Sequence, residues 1–194
     1  CRWGFPVSCV WPAWGWRAGT AEWQGRGLPV RNVPSVLRWN SDKAYLGHLS
    51  GLGAPVVPTH FVQRLSEQAL AEAAAEFGTE KLIAKPTISA SAWQTILWSP
   101  GDPIDSGPSG AALIQPFLPT IFDEGEVSLV YIDGQFTHAI RKRPKPGDFR
   151  VQPEWGGLIT PHAPAPDEYA AAERILAAID EPLLYARIDL ARDL

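Results

Sequence analysis

The chain has 194 residues, 45% hydrophobic and 20% charged, with a formal net charge of -4 and a pI near 5.6, which is the composition of an ordinary globular protein with length for one substantial core or two small lobes. No apolar run approaches the ~20 residues of a bilayer span, and the start lacks a basic segment followed by an apolar one and a cleavage site, so a cytoplasmic protein with no membrane partner is expected. The acidic balance gives no reason to expect nucleic acid, and two cysteines, Cys1 and Cys9, with no nearby His make a disulfide scaffold or zinc site improbable.

Residues Cys1 to Trp23 hold five of the nine tryptophans, no acid before Glu22 and no periodicity. On composition, residues 1–27 are expected to be poorly ordered or not natural sequence. The chain contains no Met and ends at Leu194 directly after a predicted strand, so a fragment is expected. From Leu28 onward the pattern is regular. Asn40-Ser41-Asp42 reads as a helix start, Tyr45, Leu46, Leu49 and Leu52 recur at helical spacing, and Gly53 supplies a left-handed stop; one helix over Ser41 to Leu52 is predicted. After an extended stretch from Ala54 to Thr59, Leu65, Ala69, Ala73 and Phe77 mark a second amphipathic helix that ends at Gly78 and covers a sheet.

Leu82 to Lys85 is a short apolar strand, followed by a loop of small residues from Thr87 to Ser91. Pro100 to Gly110, with three Pro and three Gly, is a surface loop, and Ala112 to Phe117 is the next strand. Glu126 to Ile132 and Gln135 to Arg143 flank Asp133-Gly134, the dipeptide of a two-residue hairpin turn. A straight hairpin on that turn sets Glu126 opposite Arg141; a longer turn would put Lys142 there. A helix over Tyr169 to Ile179 precedes a last strand, Leu183 to Leu190, on which Tyr185, Arg187 and Asp189 share one face and Leu184, Ala186, Ile188 and Leu190 the other.

The sequence has neither Gly-x-x-x-x-Gly-Lys-Ser/Thr nor Gly-x-Gly-x-x-Gly, so a bound nucleotide needs another device. Lys85 ends an apolar strand, where an ammonium either emerges into solvent or meets an anion such as phosphate. Lys43 falls in the first turn of the predicted helix, where a cation opposes the helix dipole. Arg141 to Arg150 gathers five of seventeen basic residues into ten positions, either a solvated hairpin end or a polyphosphate loop. Gly156-Gly157 is a turn or a close backbone approach to phosphate. Asp189 either pairs with Arg187 at the surface or offers hard oxygens to magnesium. The four His show no ligand spacing, and no Gly-x-Ser-x-Gly turn occurs.

Taken in order, Asp-Lys43-x-Tyr-Leu, Ile-Ala-Lys85-Pro, Gln115-Pro-Phe-Leu, Glu126-Val-Ser-Leu, Gly147-Asp-Phe-Arg, Gly156-Gly157 and Arg187-Ile-Asp resemble the ATP-grasp superfamily of ligases over Leu28 to Leu194. The nearest branch is that of glutathione synthetase and ribosomal-protein glutamate ligase. Arg38-Trp39-Asn40, Ser89-Ala90-Ser91 and Arg141-Lys-Arg-Pro are similar to O-ureido-D-serine cyclo-ligases. The resemblance implies an α+β ATP-grasp fold, two α+β lobes with nucleotide between them, truncated at both ends. Residues 28–58 would be the trailing part of a substrate domain and linker, 59–117 the lid and 118–194 an incomplete core subdomain.

It implies ATP and Mg2+ as cofactors, an amino-acid-like small-molecule substrate, and leaves a homo-oligomer open for the full-length protein. Lys43 and Lys85 would take the nucleotide phosphates under a flap carrying Ser89 and Ser91. Gln115, Phe117 and Leu118 would meet adenine and Glu126 the ribose. Arg150 and Arg187 would act at the transferred phosphate, helped by Lys142, and Asp189 would bind magnesium. The implied reaction is carboxylate-amine ligation through an acyl phosphate, with an intramolecular cyclo-ligase as one form. A peptide or glutathione-type ligase and a non-catalytic nucleotide-binding domain are the alternatives. Relatives carry a further Glu-x-Asn or Glu-x-Glu magnesium pair on a strand beyond Asp189, which this sequence does not reach, so the fragment alone is expected to be inactive.

Overall fold

The computed structural model describes residues 29–193 and, ahead of them, Gly19, Glu22, Trp23, Gly25, Arg26 and Gly27. The expectation for residues 1–27 as a stretch lies largely outside the described residues. Helix α1 (Pro34–Asn40) opens on Pro34, whose fixed φ suits a first turn, and α2 (Tyr45–Gly51) follows after a break. This corrects the single helix read over Ser41 to Leu52. The Asp42 side chain accepts the Ala44 N–H at 3.0 Å and the Ser41 hydroxyl donates to the Arg38 carbonyl at 2.7 Å, local bonds that bend the chain where a helix start was expected. Lys43 therefore lies in a turn between two helices. Gly53 does take the left-handed conformation, with φ +79.

Strand β1 (His60–Val62) leads to α3 (Glu67–Phe77), which is capped by Ser66 accepting the Ala69 N–H at 3.1 Å and stopped by Gly78 at φ +65. Strands β2 (Leu82–Pro86), β3 (Ile96–Trp98) and β4 (Ala112–Pro116) complete a four-stranded antiparallel sheet in the order β1-β4-β2-β3. Leu65, Ala69, Leu70 and Ala73 pack from the helix side against Leu82, Ala84, Trp98 and Ile114. With Leu82 and Ala84 on that side, the alternation of a strand turns Ile83 and Lys85 to the opposite face. β1 and β3 were not foreseen, since strands of three residues show too little alternation to register.

A short helix α4 (Thr120–Asp123) leads into β5 (Glu126–Ile132) and β6 (Gln135–Arg143), whose bounds match the sequence reading. A 3-10 turn at Pro153–Trp155, β7 (Leu158–His162), α5 (Pro166–Ala177) and β8 (Tyr185–Leu190) complete a second antiparallel sheet, order β7-β6-β5-β8. β7 was missed because Pro161 interrupts it; it is an edge strand, where a missing N–H is tolerated. Val127, Leu129, Tyr131, Ala139 and Ile188 cover Ala172 of α5 to form the second core. Each sheet thus has one face under a helix and one face free for chemistry. Among the described residues no helix is long and apolar enough to cross a membrane.

The hairpin carries the main correction. Asp133 and Gly134 both have positive φ, 49 and 73, so the turn has two residues as expected. Ile132 pairs with Gln135 and Tyr131 with Phe136, but Val130 pairs with His138: Thr137 is an extra residue that forms a bulge and donates to the Val130 carbonyl at 3.0 Å. Beyond it every partner is shifted by one, so Glu126 faces Lys142 and Arg141 faces Val127. The outcome foreseen for a longer turn arises from a bulge within the strand.

Candidate functional site

Strand alternation supplies the free face of the second sheet with Glu126 and Ser128 from β5, Lys142 from β6, and Arg187 and Asp189 from β8. The Lys142 ammonium contacts Glu126 Oε1 and lies 3.4 Å from Asp189 Oδ1. Asp189 also accepts the Ser128 hydroxyl and a two-pronged pair from Arg187, with Nε to Oδ1 at 2.9 Å and Nη2 to Oδ2 at 2.8 Å. The bulge is what makes this arrangement, because in an unbulged register Arg141 would replace Lys142 on this face. Arg141 instead turns under the sheet, where it lies 3.7 Å from Glu168 of α5.

The two carboxyls respond in opposite ways. Burial and the neighbouring Asp189 push Glu126 up, against the pull of Lys142. Burial would raise Asp189 too, but Lys142 and Arg187, with the bonds from Arg187 and Ser128, hold it below the usual carboxylate range. Asp189 is therefore the more acidic carboxyl of the pair. Arg187 is held above its ordinary value: burial opposes its charge, and Asp189 more than compensates.

From the first sheet, Lys85 projects toward the same place. Burial lowers its pKa and the charge of Glu126 only partly restores it, so the two residues lie within electrostatic reach across the sheets. Lys43 is lowered to about 8, first by burial and then by Lys85, with Asp42 opposing. Its ammonium donates to the Ser89 carbonyl at 2.8 Å, the Ser89 hydroxyl at 2.9 Å and the Pro86 carbonyl at 3.3 Å. Among the described residues neither lysine meets a carboxylate at ion-pair distance, while Glu126 and Asp189 are taken up by Lys142 and Arg187. Four cations against two carboxylates leave room for an anion.

The remaining sequence candidates are held by contacts with residues outside this cluster. Ser91 has φ 51 and its carbonyl accepts the Trp155 indole N–H at 3.1 Å. The Gln115 amide donates to the Thr59 hydroxyl at 2.9 Å, the Phe117 N–H donates to the Lys81 carbonyl at 2.9 Å, and the Leu118 carbonyl accepts the Ile121 N–H at 3.1 Å. Arg150 is bound by Asp148 through Nε at 2.9 Å and Nη2 at 2.7 Å and lies 3.5 Å from the centre of the Trp155 ring. Those bonds from Arg150 drop Asp148 to about 2.

Gly156-Gly157 takes its turn reading. Both N–H groups are bonded inside the loop, to Pro153 and Gln152, and a Cβ on Gly157 would lie 2.1 Å from the Val151 carbonyl. Sequence reasoning missed Ser128 and Tyr45. Ser128 was legible, sharing the face of Glu126 by alternation. Tyr45 was read only as part of an apolar stripe, yet burial and the charge of Asp189 raise its phenol.

Comparison with known proteins places this geometry among relatives. No family model matches the sequence. The chain is 27% identical over 218 aligned positions to the cycloserine biosynthesis protein DcsG of Streptomyces lavendulae, covering 92% of this chain and 68% of that one. It is 31% identical over 168 positions to the glutathione synthetase of Prochlorococcus marinus (strain MIT 9313), covering 81% of this chain and 50% of that one. The crystal structure of D-cycloserine synthetase DcsG superposes with a TM-score of 0.70 at 25% identity, over 93% of this chain and 69% of that one. The ATP-grasp ligase PsnB complexed with a precursor variant, Mg and ADP superposes with a TM-score of 0.63 at 21% identity, over 91% and 53%. The chain spans from about half to about two thirds of these relatives.

Proposed function

We propose that the chain is the nucleotide-binding part of an ATP-grasp ligase, an enzyme that uses ATP to join a carboxylate to an amine, a reading supported by its likeness to DcsG and to glutathione synthetase. The observation that carries this reading is the pair Lys43 and Lys85, two part-buried ammonium groups, the first lowered by the charge of the second, with no carboxylate at ion-pair distance among the described residues. A polyphosphate is the anion such a pair would hold. In this reading Ser89 and Ser91 belong to the flap over the phosphates, Gln115, Phe117 and Leu118 border adenine, and Glu126 accepts hydrogen bonds from ribose hydroxyls.

The donor chemistry fits magnesium. Asp189 stays ionised and offers hard oxygens, and an ion held with a nucleotide takes one or two carboxylates and completes its shell with phosphate and water. When bound it would neutralise phosphate charge. Lys142, Arg187 and Arg150 would stabilise the transferring phosphoryl group electrostatically while the substrate carboxylate attacks it. The amine would then attack the carbonyl carbon of the resulting acyl phosphate, so that a C–N bond forms, the C–O bond to phosphate breaks and inorganic phosphate leaves. Residues 59–117 act as the lid and 118–193 as the core face below it. The likeness to D-cycloserine synthetase supports an amino-acid-like substrate whose own amine closes the ring.

The test is calorimetric titration with MgATP for wild type and Lys85→Ala, with phosphate release followed on adding amino-acid substrates to the full-length protein. Loss of one charge-assisted phosphate contact should weaken binding by about tenfold or more. Equal affinity of the two proteins would falsify the phosphate role of Lys85. Binding without phosphate release would assign a nucleotide-binding domain in place of a ligase.

A further inference from the structure

The loop from Thr87 to Thr95 holds three non-glycine residues with positive φ, Ser91 at 51, Ala92 at 56 and Gln94 at 50. Side chains disfavour that conformation, so such a loop persists only where its surroundings hold it. Two side chains from outside do so. Lys43 grips Ser89 from the turn between α1 and α2, and the Trp155 indole N–H donates to the Ser91 carbonyl from the 3-10 turn beside the second sheet.

The face of that same indole lies 3.5 Å from the carbon of the Arg150 guanidinium, which also makes the paired bonds to Asp148 and lies 5.8 Å from the centre of the Phe149 ring. A guanidinium stacked on an indole and clamped in plane by a carboxylate has its orientation set on two sides. Trp155 is itself fixed by its backbone N–H to the Gln152 carbonyl at 2.9 Å, in a loop whose tight closure needs Gly157. One ring thus touches both the serine loop and the arginine.

We propose that Trp155 is a positioning residue that ties closure of the 87–95 loop to the orientation of Arg150. It acts through these two groups, and the proposal rests on the nucleotide reading of the site above. When the loop lies down, the indole is drawn to Ser91 and Arg150 is turned with it toward the terminal phosphate. When the loop lifts, the indole N–H loses its acceptor and the arginine loses a fixed platform.

Two substitutions separate the functions of the ring. Trp155→Phe removes the N–H and keeps an aromatic face; Trp155→Leu removes both. Amide hydrogen exchange of residues 88–93 in nucleotide-free protein reads the tether, and calorimetric titration with MgADP and with the analogue AMPPNP reads Arg150 through the preference for a third phosphate. Both variants should exchange about fivefold or more faster in the loop. Trp155→Phe should weaken ADP and AMPPNP by a common factor and keep their ratio, whereas Trp155→Leu should also reduce the AMPPNP preference by about fivefold or more. Thermal midpoints of both variants show whether the fold is retained.

Unchanged loop exchange in folded Trp155→Phe, or identical nucleotide ratios in the two variants, would overturn the proposal. Wild type that binds neither nucleotide would remove the functional reading instead, leaving the tether to be judged by exchange alone.

Discussion

Lys43 loses charge stabilisation to burial and to Lys85, and its value near 8 puts its titration within reach of ordinary buffers. A nucleotide phosphate beside it would restore the proton. Binding should therefore take up protons near pH 8, and affinity should decline as pH rises further. Calorimetry in buffers of different ionisation enthalpy checks this, and affinity that stays flat between about pH 7 and 9.5 counts against it. The sign for stability is opposite to intuition. The unfolded chain holds the Lys43 proton up to its ordinary 10.5 and the folded one only to about 8, so this residue disfavours folding at neutral pH and the penalty fades between those values. Asp189→Asn should leave the shape of the site in place while removing the anion that Lys142 and Arg187 face. In the full-length protein, ligation at limiting magnesium should fall by about a hundredfold or more, because an amide is a poor ligand for a hard cation. A surface ion pair is worth only ~1 kcal/mol, so if Asp189 were no more than that, turnover would stay near normal.

At the level of elements, the bulge at Thr137 decides which basic residue reaches the site. Deleting Thr137 takes out the unpaired residue and keeps Glu126 opposite Lys142, so Lys142 stays on the chemical face and Arg141 stays under α5 with Glu168 and His162. The deletion variant should therefore still bind MgADP in calorimetric titration; loss of binding with the sheet retained by circular dichroism would show that the local twist of the bulge itself positions the site. Two glycines separate backbone strain from crowding. Gly78 and Gly125 both have positive φ, 65 and 81, but an added Cβ meets nothing within 4 Å at Gly78 and lies 2.4 Å from the Lys142 carbonyl at Gly125. Gly78→Ala should cost about 1 kcal/mol and Gly125→Ala about 2–4 kcal/mol in urea unfolding. Similar costs would mean that the approach of Gly125 to β6 relaxes easily.

Across the described residues there are two cores, one under α3 and one under α5. The segment before β1 bridges both. Lys43 binds the first sheet's loop, Asn32 binds the Tyr185 backbone on β8 at 2.7 and 3.2 Å, and Arg174 of α5 donates to the Gly53 carbonyl at 2.8 Å. Leu70→Ala, at a site with no exposed surface, should cost about 2–5 kcal/mol. Its effect on hydrogen exchange should be concentrated in β1 to β4, with β5 to β8 little changed until a nucleotide links the sheets. Uniform acceleration through both sheets would show one cooperative unit.

Much of this was legible in the residues alone. Helix α3 with its Gly78 stop, the bounds of β5 and β6, the two-residue turn, and the shared face of Arg187 and Asp189 all follow from local rules, because periodicity and turn chemistry act over a few positions. The order of motifs was enough to point to the superfamily. Tertiary structure alone decided the rest. The bulge depends on pairing between strands, the turn at Lys43 depends on an Asp42 bond competing with a helix, and the short edge strands exist only because a neighbour completes their hydrogen bonds. The lowered values of Lys43 and Lys85 belong to neither residue by itself: both come from burial, and that of Lys43 also from the charge of Lys85 brought close from a distant part of the chain, and electrostatic energy depends on separation in space, which sequence spacing does not contain.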